Sequence, residues 1–223
     1  ALNALERIES ALKAATSDVM CLQHGPYWYT DEKFFSYSSR FGHIDYLIAI
    51  REDHKFIKKH NFSIIITKNM EAPNFLKLDV VSDSVVRVCL QIIQKPKTEY
   101  QKEIAKHFEF DHILLASWFE SLTVTRNTCA HHSRLYNLTF SRAPQIAKEH
   151  KMFVAKPGKF YAQAVIMFAL LKKISGSSTW NVKLQELLIK FPAVPCSWLD
   201  FPENWHQDNF GELTSDISWL FKL

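Results

Sequence analysis

The sequence predicts an all-α protein, and three observations carry the prediction. Five glycines in 223 residues are too few for the many tight turns of a β protein. Apolar residues recur at three- and four-residue steps from the start of the chain, as at Leu5, Ile8 and Leu12. The only candidate strand, residues 62–67, has no visible pairing partner, so we favour an extended connection there over a strand.

The first half of the chain predicts four helices. The first one carries an apolar stripe that continues to Val19, and Gly25-Pro26 ends it. Apolar residues at helical spacing predict the next two, and a short helix follows the Lys95-Pro96 break. These later helices are expected over residues 43–60, 83–94 and 100–108.

The second half predicts three further helices. Asp111 is a suitable N-cap for the first, Gly176 a suitable stop for the second and Asn181 a suitable cap for the third. A polar loop and a proline-containing tail complete the chain, and the tail is expected to pack on the body. The predicted helices are residues 111–136, 159–175 and 182–190, and the loop is residues 138–158. No linker divides the chain, so we expect one domain over residues 1–223. The chain starts already inside an amphipathic helix, so we expect a helical piece upstream of Ala1 to be missing.

Composition excludes several classes of protein. With 47% hydrophobic and 22% charged residues, the chain is neither a disordered polyampholyte nor a membrane protein. Its longest apolar run, residues 160–171, is too short to span a bilayer. Four dispersed cysteines are typical of reduced thiols in the cytoplasm. A formal charge of +4 permits an anionic partner without requiring one.

Polar side chains concentrate between residues 120 and 137, where a helix should be completing its core. Arg126 lies about 20° from Leu115 and Phe119 around an ideal helix, which places it on the apolar stripe. A guanidinium keeps its proton, so burial there is costly unless a polar or anionic group meets it. Three kinds of partner fit: a carboxylate of the same chain such as Glu120 or Glu9, a facing subunit, or a bound phosphate.

Two further side chains of this segment suit acid–base chemistry. Asn127 and His131 are four residues apart and therefore share one face, where the amide can orient the imidazole. Arg126 and His131 diverge by about 140° on an ideal helix. Both can point into one cleft only if the Arg side chain is long enough to reach it, or if the helix breaks at residues 123–125.

These residues match a known pattern. Arg126, Asn127 and His131 fit the Arg-(four to six residues)-His motif of HEPN domains, in which a polar residue commonly follows the arginine. The longer string RNTCAHHSRLYN, residues 126–137, closely resembles the signature of the Abi-like abortive-infection proteins (the AbiD/AbiF group), a bacterial branch of that superfamily. Further elements of the chain resemble that family: ALERIE at residues 4–9, GPYW at 25–28 and FPENW at 201–205.

The resemblance implies an HEPN-type helical bundle with additional flanking helices, acting as a homodimer in which two Arg/His pairs meet. It also implies a metal-independent endoribonuclease toxin of phage defence that cuts RNA in the cytoplasm and uses no cofactor. A small RNA or a protein is the candidate antitoxin. We expect His131 to be the acid/base, Arg126 the phosphate stabiliser and Asn127 the orienting residue. The candidate RNA contacts are His132, Arg134 and Asn137.

Other interpretations stay open. The main rival is an RNA- or protein-binding module whose Arg/His pair is structural, and a third possibility is a toxin silenced by nucleotide transfer onto its active-site region. Cys129 beside two histidines resembles a zinc half-site, but no second ligand pair has metal-site spacing. The aromatic residues 27–29 could stack on bases, yet such clusters beside a Gly-Pro turn are usually core.

Overall fold

The computed structural model of this chain describes residues 1–34, 43–44, 47, 99–146, 154–176 and 178–202. Across these ranges the regular structure is helical and no strand occurs, which confirms the all-α prediction. The predicted helices over 43–60 and 83–94, the segment 62–67 and the tail after residue 202 lie outside the described residues, apart from positions 43, 44 and 47. None of the helices in these ranges combines the length and apolarity needed to cross a bilayer.

The described helices lie close to the predicted ones, except that the helix after Asp111 ends earlier than predicted. The α-helices are α1 (Leu2–His24), α2 (Glu99–Phe108), α3 (His112–Ala130), α4 (Phe160–Ser175) and α5 (Trp180–Lys190). Short 3-10 helices occur at Trp28–Thr30, Glu32–Phe34 and Cys196–Leu199. Backbone contacts divide the chain into two compact units, residues 1–8 with 108–223 and residues 9–107. The expectation that they form a single domain stays a prediction.

The unit of residues 9–107 has an aromatic core. Trp28 and Tyr29 are 2% and 1% exposed, so the core interpretation of the aromatic run is confirmed for both, whereas Tyr27 is 41% exposed. Phe34 packs against the rings of His24 and Tyr100, at centroid distances of 4.4 and 5.9 Å, and those two rings contact each other. Apolar side chains of α1 and α2 complete this core: Leu12, Ala15, Val19, Met20, Ile104 and Ala105.

The other unit is built around α4. Its apolar residues run all round the helix, which is typical of a buried central helix, and α4 packs against α3. Gly176 ends α4 with φ +67°, a left-handed conformation that glycine adopts without steric cost. Beside this stop, Arg7 of α1 donates to the Ser175 hydroxyl at 3.1 Å. The helix and its glycine stop are where the sequence predicted them.

The loop after α3 folds back along that helix. The backbone of Gln145 is held at both ends, since its carbonyl accepts from Trp118 Nε1 at 3.1 Å and its N–H donates to the Ser117 hydroxyl at 2.7 Å. Arg142 reaches Glu120 at 3.3 Å. These contacts leave the end of α3, rather than its middle, open to solvent.

One predicted cap is wrong. Asn181 was expected to precede the helix, but α5 begins at Trp180 and Asn181 is the second helical residue, 8% exposed. The hydroxyl of Ser178 accepts the backbone N–H of Trp180 at 3.2 Å. A first-turn donor is thereby satisfied from the preceding residues, so the asparagine side chain is not needed as a cap.

Candidate active site

Helix α3 carries the candidate site, and its start is firmly defined. Asp111 is the N-cap, as predicted, and its Oδ1 accepts the backbone N–H groups of Ile113 and Leu114 at 2.9 and 3.2 Å. Leu115 and Phe119 are 1% and 3% exposed and face the core. Because the cap and the core face fix the helix rotation, the direction of every later side chain on α3 is set.

No break occurs at residues 123–125. The hydroxyls of Thr123 and Thr128 donate to the carbonyls four residues earlier at 2.8 Å, and that of Thr125 does so at 3.3 Å. The β-branched run thus lies within the continuous helix, with its hydroxyls bonded back to the preceding turn. Arg126 and His131 therefore keep divergent directions around α3, about 140° apart on ideal geometry.

Arg126 is partly buried at the border of the apolar face. Its Nη1 donates to Oδ1 of Asn127 at 3.4 Å, so the amide contacts the guanidinium. Each of the two carboxylates considered as internal partners contacts a nearby cation. Glu120 pairs with Arg142 at 3.3 Å and Glu9 with Lys13 at 2.9 Å.

The end of α3 differs from the prediction. The helix was expected to reach residue 136, but it ends at Ala130 with His131 as the C-cap. His132 has a left-handed backbone, with φ +53°. Its N–H donates to the carbonyl of Cys129 at 3.0 Å, and the N–H of Ser133 donates to the carbonyl of Thr128 at 3.0 Å. This is a Schellman closure with histidine at the left-handed position where glycine is usual. The left-handed backbone at His132 turns the chain out of the helix, and the closure satisfies the last carbonyls.

His131 lies exposed at this helix end. Its backbone N–H donates to the carbonyl of Asn127 at 3.0 Å, so the two residues are joined through the backbone. The Asn127 amide oxygen meets Arg126 and not the imidazole. The structure thus brings Asn127 together with Arg126 and presents His131 to solvent.

Cys129 is half-buried on the last turn. Burial raises the pKa of its thiol, which keeps it protonated and weakly reactive near neutral pH. In the part of the chain that the structure describes, no three His, Cys, Asp or Glu side chains lie close enough together to hold a metal ion.

The three candidate RNA contacts are all exposed. His132 occupies the Schellman closure, Arg134 follows it, and Asn137 has φ +53°. The guanidinium of Arg134 lies 5.8 Å from the centroid of the Tyr136 ring. Tyr136 in turn stacks on Trp198, with centroids 5.9 Å apart and planes 22° apart.

Sequence reasoning missed both rings of this stack. Tyr136 lies inside the polar string but has no acid–base chemistry, and Trp198 is distant in sequence. The available signal was a tryptophan between two prolines, Pro195 and Pro202, since prolines at that spacing place it in an exposed loop.

The comparisons with known proteins identify the family. A family model described as Abi-like protein matches residues 1–137, more than half of the chain. The chain belongs to the Abi-like protein family. Comparison with curated proteins found no match, and comparison with solved structures found none either. Membership of the Abi-like family suggests a role in abortive infection and is compatible with a nuclease.

The matched region of this Abi-like protein contains the whole candidate site. It begins with α1 and ends at Asn137, the last residue of the polar string. Trp198 lies beyond it. The family match therefore includes Arg126 and His131 but not the indole that stacks on Tyr136.

Proposed function

We propose that this Abi-like protein is a metal-independent endoribonuclease toxin of phage defence. It acts as an HEPN-type homodimer, in which residues 126–131 of two chains form one RNA-cleaving cleft. The observation that carries the proposal is the arrangement at the end of α3. An unbroken helix supplies a partly buried guanidinium at Arg126, and an exposed imidazole at His131 lies one turn later.

His131 serves as the acid/base. RNA cleavage without a metal begins when a base takes the proton of the 2′-hydroxyl, so that the 2′-oxygen attacks the adjacent phosphorus. An acid then protonates the departing 5′-oxygen, leaving a 2′,3′-cyclic phosphate that water can open to a 3′-phosphate. Histidine changes protonation near neutral pH, so one imidazole suits either role. An exposed ring at a helix end can reach a bulky polymer.

Arg126 stabilises the transition state. The phosphate gains negative charge as the new bond forms, and a forked guanidinium can donate two hydrogen bonds to it. The Asn127 amide was predicted to orient the imidazole of His131, but it contacts the Arg126 guanidinium. We therefore propose that Asn127 orients Arg126. His132, Arg134 and Asn137 follow in the same string and would contact the RNA on either side of the cut.

The need for two acid/base groups supports a dimeric site. A single chain offers one His131, whereas the reaction requires both a base and an acid. A second chain related by a twofold axis supplies the other imidazole, and it can also bring its own guanidinium toward the same phosphate. The toxin would be held silent by a small-RNA or protein antitoxin until infection.

Purified protein incubated with RNA and EDTA tests this proposal. The parent should generate fragments ending in 2′,3′-cyclic phosphates, and His131→Ala should cut about 10²- to 10⁴-fold more slowly. Arg126→Ala should lose at least about 10²-fold. His107→Ala, which removes an exposed histidine of the other unit, is the matched control and should cut normally.

Two results would refute the proposal that this protein is a nuclease. One is cleavage by Arg126→Ala and His131→Ala at the parent's rate. The other is RNA that co-purifies protected and uncut, with unchanged binding in His131→Ala, which would favour the non-catalytic binding module.

A further inference from the structure

The rings of Tyr136 and Trp198 form an exposed stack beside the polar string. Their centroids lie 5.9 Å apart with planes 22° apart, an offset-stacked pair. Trp198 remains 47% exposed and Tyr136 37% exposed. A tryptophan with one face against another ring and nearly half its surface in water has much of its other face open to solvent.

A rigid turn holds the indole in this place. Trp198 belongs to the 3-10 helix Cys196–Leu199, which is anchored by Leu199, a buried side chain that is 5% exposed. The backbone N–H of Trp198 donates to the Pro195 carbonyl at 2.9 Å. The carboxylate of Asp200, the residue after this 3-10 helix, accepts the Lys156 backbone N–H at 3.0 Å and pairs with the Lys156 ammonium at 3.3 Å. The indole is therefore presented with little further ordering needed on binding.

The stack is also tied to the candidate active site. The N–H of Asn137 donates to the Trp198 carbonyl at 3.1 Å, and Tyr136 follows His131 by five residues. Five residues span at most about 18 Å, so the platform lies within a few nucleotides of the proposed cut. Arg134 adds a cation beside the Tyr136 ring, at 5.8 Å from its centroid.

We infer that Trp198 and Tyr136 form a stacking platform for an unpaired base of the RNA substrate, close to the scissile phosphate. This inference rests on the proposed function, because it assigns the platform's ligand as single-stranded RNA. Every base presents a flat π-face, and RNA-binding proteins hold unstacked bases on exposed aromatic rings next to basic side chains. The platform would thus favour single-stranded substrates without reading their sequence.

Two probes of equal length and phosphate charge isolate the stacking contribution. One is a fluorescein-labelled 2′-O-methyl oligouridylate, which lacks the attacking hydroxyl, and the other is the same backbone without bases. The parent should bind the oligouridylate about 5- to 150-fold more tightly, the range for stacking one base. Trp198→Ala should lose most of that preference while its affinity for the baseless backbone stays the same. Trp198→Phe should keep part of it.

Two further variants make the test specific. Trp198→Leu keeps apolar bulk against Tyr136 but removes the π-face, so it should behave like Trp198→Ala and covers the case in which the alanine protein does not fold. Phe191→Ala is the matched control, because Phe191 is 53% exposed with a lysine ammonium 5.7 Å from its ring centroid. The control should keep the full preference for bases.

The outcomes separate this inference from the nuclease proposal. If Trp198→Ala and Trp198→Leu cut RNA normally and keep the full preference for bases, the stacking inference is wrong and the nuclease proposal stands. An equal loss in Phe191→Ala overturns it as well. If the parent neither binds nor cuts RNA, both proposals fail. If RNA binding depends on Trp198 but no cleavage occurs, the stacking inference stands and the nuclease proposal is wrong.

Discussion

The backbone N–H of Asn137 donates to the carbonyl oxygen of Trp198 at 3.1 Å, which joins the end of the polar string to a turn far along the chain. Asn137 lies in the left-handed region, with φ +53°, and asparagine enters that region more readily than most residues. Asn137 thus has a structural reason to be asparagine, in addition to the RNA contact proposed for it. The same bond fixes the stacked rings next to the loop that follows His131.

Heterodimers test whether both chains contribute to one cleft. The parent and His131→Ala, carrying different tags, would be co-expressed and their heterodimers isolated by both tags in turn. If the acid and the base are the two copies of His131, the heterodimer should be nearly as slow as the His131→Ala homodimer. Half of the parent's cleavage rate per dimer would show instead that each chain cuts alone. A heterodimer of the parent with His107→Ala should keep full activity.

Glycine at position 132 should stabilise the fold. Histidine at φ +53° carries a steric cost that glycine avoids, so His132→Gly should raise the free energy of unfolding by up to about 1 kcal/mol. Urea denaturation followed by circular dichroism measures this. Ser133→Gly, one residue later and outside the left-handed region, should be neutral or slightly destabilising. A lower stability of His132→Gly would show that the imidazole itself stabilises the helix end.

The His132→Gly protein also separates structure from RNA contact. If it is more stable but binds RNA less tightly, the imidazole at this position serves the ligand. If RNA binding is unchanged, the assignment of His132 as an RNA contact is wrong.

A buried polar pair between α3 and α4 should respond unequally to substitution. The Ser121 hydroxyl lies 2.7 Å from the Arg142 carbonyl oxygen and 3.0 Å from the Gln163 amide oxygen. A hydroxyl carries one proton, so Ser121→Ala should leave one acceptor unpaired, at a cost of about 1–3 kcal/mol. Gln163→Met should be close to neutral, since the amide nitrogen of Gln163 is buried without a partner among the described residues. Thermal unfolding of both variants checks the contrast, and a larger loss in Gln163→Met would contradict it.

The Cys129 thiol should titrate at unusually high pH. Burial raises its pKa in the folded protein, so less thiolate is present at any given pH than in an exposed cysteine. Alkylation by iodoacetamide, followed by mass spectrometry of the Cys129 peptide, should show a rate that rises with pH and has its midpoint above about 8.5, the value of a free cysteine. The midpoint should return to that value in denaturant. Identical midpoints in the native and denatured protein would contradict the shift.

The sequence alone predicted the helical class, the Asp111 cap and the Gly176 stop, because these depend on local chemistry. A capping carboxylate needs only the next few N–H groups, and a glycine stop needs only its own backbone freedom. The amphipathic stripes of α1 and α3 were equally readable, since helical periodicity is written in neighbouring residues. The match of the polar string to the Abi-like family came from the same local pattern.

Tertiary structure decided where α3 ends and what surrounds that end. Nothing in the pattern predicts a Schellman closure with a histidine at its left-handed position, since the usual signal is glycine. The loop that returns along α3 contacts Ser117 and Ser121 and leaves the end of the helix exposed. Likewise, the stack of Tyr136 on Trp198 joins residues far apart in sequence, and only the folded chain brings them within contact. Local spacing fixes which face of a helix a residue occupies, whereas long-range packing decides what that face meets.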